Sequence, residues 1–544
     1  PPYMSNRGME PNLHGYLKKY YPNSKSDLST VFFEKSFTLS KKYGFVAMIN
    51  IPVWMFISSY DNLRKDLINK KRFINMLHLG RGIFGSDFGT TSFVINNSFI
   101  EGYKSTFRQL YVDKGAVDSV AQKESWFFDD NFNKFIINQD QFKSIPGNPI
   151  AYWISNNFIE NYNKFDCLGN IMDIKQGLAT GNNKQFLRYW FEVEFDKIGF
   201  KYNSIDEFHK SLKKYAPYNK GGEFKKWYGN CEFVIKFDKE NYDILSNQGN
   251  HLPSKQYYFK DGITWTLVSS KSSFAARISN EGFVFDVGGS SGFTNQSIYP
   301  FLGFLCSNVA YEYLSVLNPT INVQVGDLKN LPFSGNIIND NLINLVKENV
   351  DISKRNWDLY EVSWNFNNHP FLEYNSNKLK DIFIEHQKSM QDDFELIKNN
   401  EEQINKLIID YYSLNEISHK VEDKDITLKL SNYEDDVKSF ISYVVGCIFG
   451  RYSLDKEGLQ FAGGDFNLNE YYKFVPDDDN IIPILDTEYF KDDIVGRFVD
   501  FVKICFGEIN LEENLDFIAN ALNKKGKTSR EIIRNYFLTD FFKD

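Results

Sequence analysis

The chain opens with Pro1-Pro2-Tyr3, three residues whose types and spacing suit chemistry on a flat, weakly nucleophilic amino group. The exocyclic amino group of a nucleobase reacts poorly because its lone pair is delocalised into the ring. A backbone carbonyl held at a fixed angle by proline can accept one amino hydrogen, an Asn or Asp side chain can accept the other, and an aromatic ring can stack on the base. Pro-Pro-Tyr also occurs in ligands of small recognition domains, so its context decides the interpretation.

Helices and strands alternate after this motif. Residues 26–39 carry apolar side chains at helical spacing, with Ser26 and Asp27 as candidate caps. A stop at Gly44 precedes a strand in "GFVAMIN" that we expect to be buried, and "FINMLHLG" and "TTSFVINN" are further strands. The alternation predicts an α/β sheet, in which active residues lie on loops at strand ends. "PPY", "NIPVW" and "HLGRGIF" are such loops.

The pattern changes after about residue 140. Residues 165–335 consist of short segments broken by Gly, Asn and Pro, which predicts an α+β domain. A broken heptad of apolar residues follows, and because Gln387 and Glu401 interrupt it, we expect a helical hairpin or spacer rather than a long coiled coil. The predicted segments are an α/β partial sheet, an α+β domain, a helical spacer and a mostly helical domain, in residues 1–140, 141–335, 336–430 and 431–544.

Composition narrows the class of protein. The 544 residues carry a net charge of −9, with acidic residues concentrated after about Glu361 and lysines concentrated in 201–275, which predicts one basic domain in an acidic chain. The five cysteines are far apart and form no CxxC, so neither a disulfide framework nor a zinc site is indicated. Since the apolar stretches fall short of the ~20 residues that span a bilayer, we expect a soluble cytoplasmic protein.

Longer blocks share the pattern of a known family. "SDLSTVFFEKSF", "GFVAMINIPVWMF", "HLGRGIFG" and "TTSFVINN" resemble, in this order, the downstream half of the gamma-type adenine methyltransferase domain. "NPIAYWIS", "IKQGLATGNNKQFLRYWFEV", "PYNKGGEFKKWYGN", "YFKDGITW" and "NVQVGDLKNLPF" resemble the adenine-specific methyltransferase of BREX phage-defence systems, related to the phage growth limitation methyltransferase. The resemblance implies a partial Rossmann-like methyltransferase sheet, a target-recognition domain in 141–335, S-adenosyl-L-methionine as cofactor and double-stranded DNA as partner.

The resemblance also implies roles for residues of the first segment. The carbonyl of Pro1, held by Pro2, would accept an amino hydrogen, and Tyr3 would stack on a flipped adenine. Phe84 would cover the other face of that base, since base flipping is needed to expose an amino group that is buried in the duplex. Phe32 would pack on the adenine of S-adenosylmethionine, although its spacing is equally that of a core aromatic residue.

In the second segment, the resemblance implies that residues in Gly-rich loops read DNA. Arg and Gln can make bidentate contacts to guanine and adenine, while Lys mainly neutralises phosphate. Any one of these residues is equally ordinary surface, so the prediction depends on their occurrence together. They are Lys175, Gln176, Arg188, Asn219, Lys220, Lys225, Lys226 and Trp227.

Two other features of the sequence, a Gly-rich stretch and a histidine, are expected to be structural. "EGFVFDVGGSSGF" has the order strand, Gly-rich turn and helix of a cofactor loop, but no acidic residue follows at the end of a second strand. We therefore expect Gly288, Gly289 and Gly292 to allow a tight turn. His78 is expected to be a core histidine with its hydrogen bonds satisfied, rather than an acid or base.

The prediction is a site-specific DNA adenine methyltransferase of a phage-defence system that needs no metal. The Gly-rich cofactor loop and the residue before Pro1 are not in this chain, so we expect this chain alone to be inactive or nearly so. One alternative is a combined type IIG restriction-modification enzyme, although "VPDDDNIIPILDTEYFK" matches a nuclease motif only superficially. The other is a non-catalytic DNA-recognition or scaffolding module that binds other defence-system proteins through the acidic C-terminal region.

Overall fold

The structure is a computed structural model that describes residues 1–84, 89–112, 115–267, 273–318 and 322–544. It is a mixed α/β protein with several small sheets and many helices. The strands are β1 (Phe45–Asn50), β2 (Arg72–Gly80), β3 (Thr90–Asn96), β4 (Lys104–Gln109), β5 (Lys134–Asn138), β6 (Asp166–Cys167), β7 (Asp173–Lys175), β8 (Leu187–Tyr189), β9 (Tyr215–Asn219), β10 (Phe233–Lys236), β11 (Gly262–Trp265), β12 (Ala276–Ser279), β13 (Val284–Phe285), β14 (Ser291–Phe293) and β15 (Pro332–Phe333).

The helices account for most of the remaining regular structure. They are α1 (Pro11–Tyr20), α2 (Leu28–Leu39), α3 (Asp61–Lys70), α4 (Val120–Phe128), α5 (Asn156–Lys164), α6 (Leu168–Ile171), α7 (Asn183–Phe186), α8 (Ile205–Lys210), α9 (Lys239–Ser246), α10 (Tyr299–Leu305), α11 (Asn308–Leu317), α12 (Val325–Lys329), α13 (Asp340–Asp358), α14 (Leu379–Tyr412), α15 (Tyr433–Ile448), α16 (Ile494–Phe506), α17 (Leu511–Leu522) and α18 (Ser529–Thr539). In the part of the chain that the structure describes, none of these helices is both long and apolar enough to cross a membrane.

The chain divides into two compact units. The first contains Pro1–Ile171, Val309–Gly335 and Ile409–Glu416, and the second contains Met172–Asn308, Asn336–Ile408 and Ile417–Asp544. Both units are discontinuous in sequence. The division into four consecutive segments stays a prediction.

The first unit contains a five-stranded sheet in the order β1-β3-β2-β4-β5. Strand β3 pairs antiparallel with both β1 and β2, so β1 and β2 point the same way. Strand β4 pairs parallel with β2, and β5 pairs antiparallel with β4. The three predicted strands and the helix between the first two are confirmed as β1, β2, β3 and α3.

Helix α2 begins where its cap predicts but buries a different face. Asp27 is the cap, because its Oδ1 accepts the backbone N–H of Ser29 at 2.9 Å. The aromatic residue that enters the core is Phe33, which packs edge-on against Trp54. Phe32 is instead 46% exposed, and Leu39 is also exposed. The interpretation of Phe32 as a core residue is therefore wrong.

Strand β1 lies at an edge of the sheet. Its burial alternates along the strand, with Phe45 and Ile49 exposed and Val46 and Asn50 buried. Period-two alternation is typical of a strand with one face on the core. The expectation of a fully buried strand is therefore wrong, because an apolar composition does not tell which faces are covered.

The second unit contains two four-stranded sheets, in the orders β13-β9-β10-β8 and β12-β11-β14-β7. The Gly-rich stretch lies between β13 and β14, so a strand follows it rather than a helix. A Cβ on Gly289 would lie 2.4 Å from the carbonyl oxygen of Asn219. The glycine therefore permits a close approach of two backbone segments, and the arrangement is not that of a strand–turn–helix cofactor loop.

Helices dominate the rest of the second unit. The broken heptad forms the 34-residue helix α14, and its residues Phe394 and Ile397 pack with Ile352 of α13. Helices α15 to α18 enclose a separate apolar core that includes Phe440, Phe498 and Leu515. The predicted helical character of this region is thus confirmed.

Candidate active site

Three strands of the first unit's sheet end at the same edge. Since β1, β2 and β4 point the same way, the loops after Asn50, Gly80 and Gln109 all leave the sheet there. In sheets of this kind, ligands bind outside the carboxyl ends of the strands. This edge is therefore the candidate active site.

The opening segment is held at this edge by backbone hydrogen bonds. Leu28 N–H donates to the Met4 carbonyl at 2.9 Å, and Asn6 N–H donates to the Ser26 carbonyl at 3.0 Å. Tyr3 reaches the end of β1, where its hydroxyl donates to the Ile49 carbonyl at 3.4 Å. Partial burial raises the pKa of Tyr3, and the negative charge of Asp27 adds to this.

The ring of Tyr3 remains 42% exposed, and Pro1 and Pro2 are exposed as well. A half-exposed ring on a fixed backbone can offer one face to a planar ligand. The structure thus places Tyr3 at the carboxyl end of β1.

A cavity of about 260 Å³ opens at the same edge. Its volume lies just below the ~300–1,000 Å³ that is usual for ligand pockets, so it suits a single ring or a small group. Most of its wall is apolar, and the ends of β1, β2 and β4 all contribute to it. The lining residues are Pro52, Val53, Phe56, Ile57, His78, Gly80, Arg81, Gly89, Tyr111 and Trp153.

His78 forms a hydrogen-bonded group with two tyrosines in the wall of this cavity. Its Nδ1 lies 3.1 Å from the hydroxyl of Tyr152 and 3.2 Å from that of Tyr111. Burial raises the pKa of both tyrosines, so both keep their hydroxyl protons at neutral pH. A tyrosine hydroxyl can donate or accept, so the direction of these two hydrogen bonds depends on the tautomer of His78. The prediction of a satisfied, buried histidine is confirmed.

Arg64 fixes a second part of the cavity wall. Its buried guanidinium donates to the carbonyls of Trp54 and Ile57 at 2.9 and 2.8 Å, and its Nε donates to the Gly147 carbonyl at 2.8 Å. Asp61 pairs with the remaining nitrogen. Burial lowers the pKa of Arg64 to about 10. The segment from Trp54 to Ile57 is therefore tied down by a side chain of helix α3.

Phe84, predicted to cover the base, and Phe32, predicted to pack on the cofactor, are both on the surface. Phe84 is 57% exposed in the loop after β2, and Phe32 is exposed on helix α2. Among the described residues, the cavity lining includes neither of them, nor Tyr3. The structure thus places Phe84 on the loop after β2 and Phe32 on helix α2.

Most of the predicted DNA-contacting residues of the second unit have protein partners. Lys226 Nζ forms a buried ion pair with Glu401 at 2.7 Å, and Trp227 Nε1 donates to the same carboxylate at 2.8 Å. Asn219 is buried with its amide on the Ser279 hydroxyl at 2.6 Å, and Lys225 donates to the Thr427 carbonyl at 2.8 Å. Burial lowers the pKa of Lys225.

The other four predicted residues are more accessible. Gln176 is exposed. Arg188 in β8 and Lys175 in β7 are half-buried, and each of these strands lies at an edge of its sheet. Lys220 is also half-buried, and its Nζ pairs with Asp286 at 2.7 Å. Lys175 Nζ pairs with Asp173 at 2.8 Å.

Two aromatic and basic residues next to Lys175 were not predicted. Lys175 Nζ lies 4.9 Å from the ring centroid of Tyr257, and Lys260 Nζ lies 5.6 Å from the same centroid. We name Lys175, Gln176, Tyr257 and Lys260 the β7 patch. The sequence "YYFK" carried a signal, since an aromatic residue near a lysine is typical of nucleic-acid surfaces. For Tyr111 and Trp153 in the cavity wall, no local signal existed.

Two kinds of comparison find proteins that are similar to this chain. The profile of the Eco57I restriction-modification methylase family matches residues 1–84. The chain is also 39% identical to the adenine-specific methyltransferase PglX of Lacticaseibacillus casei (strain Zhang), over 571 residues. It is 36% identical to the adenine-specific methyltransferase BrxX of Escherichia coli O9:H4 (strain HS), over 587 residues.

Both alignments cover 100% of this chain and 47% of the relative. The resemblance to these adenine-specific methyltransferases is thus confirmed along the whole chain, and the chain spans about half the length of the curated relatives it matches. Among solved structures, the Type IIL restriction-modification enzyme MmeI in complex with DNA is 10% identical, with a TM-score of 0.40, covering 78% of this chain and 55% of that chain.

Proposed function

We propose that the protein containing this chain is a site-specific DNA adenine methyltransferase of a phage-defence system. The observation that carries the proposal is the identity of 36–39% along the entire chain to two adenine-specific methyltransferases. The placement of Tyr3 at the carboxyl edge of the sheet supports it, since this is where the chemistry requires an aromatic face.

The chain's own residues would bind and orient a flipped adenine. The carbonyl of Pro1 accepts one hydrogen of the exocyclic amino group, which shifts electron density toward the nitrogen. Tyr3 stacks on the base, and Phe84 covers its other face. Stacking on both faces offsets the few kcal/mol that unstacking a base costs.

Phe32 fits a role in holding the adenine of S-adenosylmethionine. Its ring is 46% exposed at the start of α2, beside the segment that carries Tyr3, while the neighbouring Phe33 is buried. Helix α2 therefore presents an open aromatic face that the core does not use. When bound, this cofactor supplies a methyl group on a positively charged sulfur.

The fold that this activity needs is a Rossmann-like sheet, of which we propose that β1, β2 and β3 form part. The parallel direction of β1 and β2 and the exposed edge of β1 support this. Other strands of the whole protein would pair with that edge.

Double-stranded DNA is the proposed partner, and the β7 patch is the surface best placed to bind it. Lys175 and Lys260 neutralise phosphates, and Tyr257 offers an aromatic face. Gln176 and Arg188 are the accessible candidates for base contacts. Lys226 and Trp227 have a structural role in this proposal, because both are buried against Glu401 and cannot reach DNA.

The test of the catalytic loop uses the full-length protein and DNA that lacks the modification. Tyr3→Ala removes the stacking ring and should lower the methylation rate about 5- to 150-fold, since stacking is worth ~1–3 kcal/mol per base. Tyr3→Phe keeps the ring and should retain most activity. Tyr16→Ala is the control, because Tyr16 is another exposed tyrosine of the same unit. Equal rates for Tyr3→Ala and wild type would contradict the proposed role.

DNA binding is tested separately by the salt dependence of affinity. The Lys175→Ala/Lys260→Ala double variant should flatten the slope of log K against log salt by about 1.8, at ~0.9 per phosphate contact. The control is Lys380→Ala, which removes an exposed lysine from helix α14. An unchanged slope in the double variant would remove the β7 patch from the interface.

A combined restriction-modification enzyme is the second candidate function. The match of residues 1–84 to a restriction-modification methylase family favours it. A DNA-cleavage assay of the full-length protein with Mg²⁺ separates the two, since only the combined enzyme cuts unmodified DNA. If the full-length protein neither methylates DNA nor binds S-adenosylmethionine, the non-catalytic recognition or scaffolding module is favoured instead.

A further inference from the structure

A second concave surface lies within the second unit, built by the segment after β8 and the segment after α15. It encloses about 500 Å³. We name this surface the aromatic bowl and define it by six of its lining residues: Phe191, Glu192, Glu194, Phe449, Arg451 and Phe461. None of these residues has a role in the proposed methyl transfer.

Backbone hydrogen bonds and a close approach at a glycine hold together the segments that form the aromatic bowl. Phe195 N–H donates to the Ala462 carbonyl at 3.1 Å, and Gln460 N–H donates to the Arg451 carbonyl at 2.9 Å. Gly463 has a φ of +95°, and a Cβ there would lie 2.6 Å from Cγ of Glu194. Only glycine permits this approach without displacing Glu194. The concave shape is therefore formed before any ligand binds.

The apolar part of the bowl is open to solvent. Phe191 and Phe449 are 46% and 37% exposed. Tyr189, also exposed, stacks on Phe191 with a centroid distance of 5.2 Å and an interplanar angle of 3°. Clustered exposed aromatic rings around a cavity are typical of interaction sites rather than of ordinary surface.

The charge at the rim is negative. Glu192 and Glu194 are both exposed, although Glu194 also contacts Lys197. Further exposed carboxylates, Asp478 and Asp479, directly precede the lining residue Asn480. A rim of this sign repels nucleic acid and attracts a cationic partner.

Arg451 is the positive residue among the six that define the bowl, and it is half-buried. Its guanidinium lies 5.3 Å from the ring centroid of Trp190. Burial raises the pKa of Glu361, and the positive charge of Arg451 acts in the opposite direction on the same carboxyl group. Its Nε donates to the hydroxyl of Tyr452 at 3.3 Å, so the exposed carboxylates at the rim outnumber this half-buried cation.

We propose that the aromatic bowl is a docking site for a peptide segment of a partner protein. The segment inserts one aromatic or large aliphatic side chain against Phe191 and Phe449. A lysine or arginine next to this anchor contacts Glu192 and Glu194. The complementarity that selects the partner is an apolar anchor for the aromatic walls combined with a positive flank for the acidic rim.

The test measures binding of short peptides to the full chain by isothermal titration calorimetry. The probes are N-acetyl-Lys-Phe-Lys-amide, the charge-reversed N-acetyl-Glu-Phe-Glu-amide and N-acetyl-Lys-Ser-Lys-amide, which lacks the anchor. The first should bind at least about fivefold more tightly than the other two, a difference of ~1 kcal/mol for each feature. Raising the salt concentration should weaken its binding.

Substitutions test whether the peptide binds at the aromatic bowl. Phe449→Ser should weaken the Lys-Phe-Lys probe about fivefold or more, while Leu212→Ser, at a highly exposed apolar residue elsewhere in the unit, should not. Phe191→Ser serves as the second variant if Phe449→Ser does not fold by circular dichroism. Equal binding of the acidic peptide, wild-type affinity in the folded bowl variants, or no saturation below about 5 mM overturns the proposal.

Discussion

Two buried histidines next to helix α15 should make the second unit sensitive to acid. His369 is 3% exposed and His386 is 4% exposed. The Nδ1 of His369 accepts the N–H of Phe371 at 3.2 Å, so it carries no proton, and its Nε2 lies 2.9 Å from the hydroxyl of Ser439. Burial and the neighbouring His386 lower the pKa of His369 to about 3, and burial lowers the pKa of His386 to about 4.

Acid lowers the free energy of unfolding because the unfolded state binds protons at a higher pH than the folded state does. In the unfolded chain both imidazoles have a pKa near ~6.5, so below that pH the unfolded state binds more protons than the folded state and the free energy of unfolding falls. At pH 5 each histidine costs about 2 kcal/mol relative to pH 7.5, which makes about 4 kcal/mol for the pair. Typical unfolding free energies are ~5–15 kcal/mol, so this loss is large.

The substitution that tests this is His369→Gln, because glutamine keeps a hydrogen-bonding side chain and cannot be protonated. Between pH 5 and 6, it should flatten the dependence of the unfolding free energy on pH by about 1.2 kcal/mol per pH unit, slightly below the value for one full proton. The measurement is urea unfolding followed by circular dichroism across this pH range. His419→Gln is the control, since His419 is exposed.

Histidine resonances in an NMR titration of the folded protein give an independent check. The C2–H signals of His369 and His386 should stay in the neutral position down to about pH 5. If either signal titrates near pH 6.5 while the protein is folded, the imidazole is hydrated and the calculated loss of stability is wrong. An unchanged pH slope in a folded His369→Gln variant would refute the reasoning in the same way.

Two buried ion pairs of the second unit give further predictions. Glu401→Ala leaves Lys226 buried without its partner and should lower the free energy of unfolding by about 3–5 kcal/mol, whereas Glu402→Ala, at a surface pair, should cost about 1 kcal/mol or less by urea unfolding. Asp493 caps helix α16 and binds Arg534 through both oxygens at 2.7 Å. Burial acts to raise the pKa of Asp493, but Arg534 and the amides of α16 lower it overall. The stability from this pair should therefore be complete above pH ~3.9 and be lost only as the pH falls through the lower folded value, and Asp493→Asn should abolish that part of the acid dependence. A Glu401→Ala variant as stable as wild type, or an Asp493→Asn variant with an unchanged acid transition, would contradict these assignments.

Local signals predicted the first sheet well. Helix α2 begins after Asp27 because a side-chain cap is a property of adjacent residues. The strands β2 and β3 follow from short apolar runs bounded by turn residues. Which aromatic residue of α2 enters the core was less predictable, since Phe32 and Phe33 are neighbours and a small shift of the buried face exchanges their environments.

The candidate site could be located from sequence only at the level of loops. The order of the strands in space brings the ends of β1, β2 and β4 to one edge. The cavity there also needs Tyr111, Trp153 and the guanidinium of Arg64, whose contacts span up to 83 residues of sequence. Contacts between residues so far apart in sequence form by tertiary packing, so no local pattern in the sequence predicts them.

Glu401 shows that a sequence can contain a signal whose meaning needs the structure. Its position in the apolar seam predicted an interruption of a coiled coil, because a carboxylate there would be desolvated. The structure supplies the reason that helix α14 continues through it, since Lys226 and Trp227 satisfy both carboxylate oxygens. A polar residue in an otherwise apolar helical seam therefore predicts a distant partner of opposite charge. Here that partner came from the set of residues predicted to bind DNA, and the requirement to satisfy a buried charge accounts for its burial.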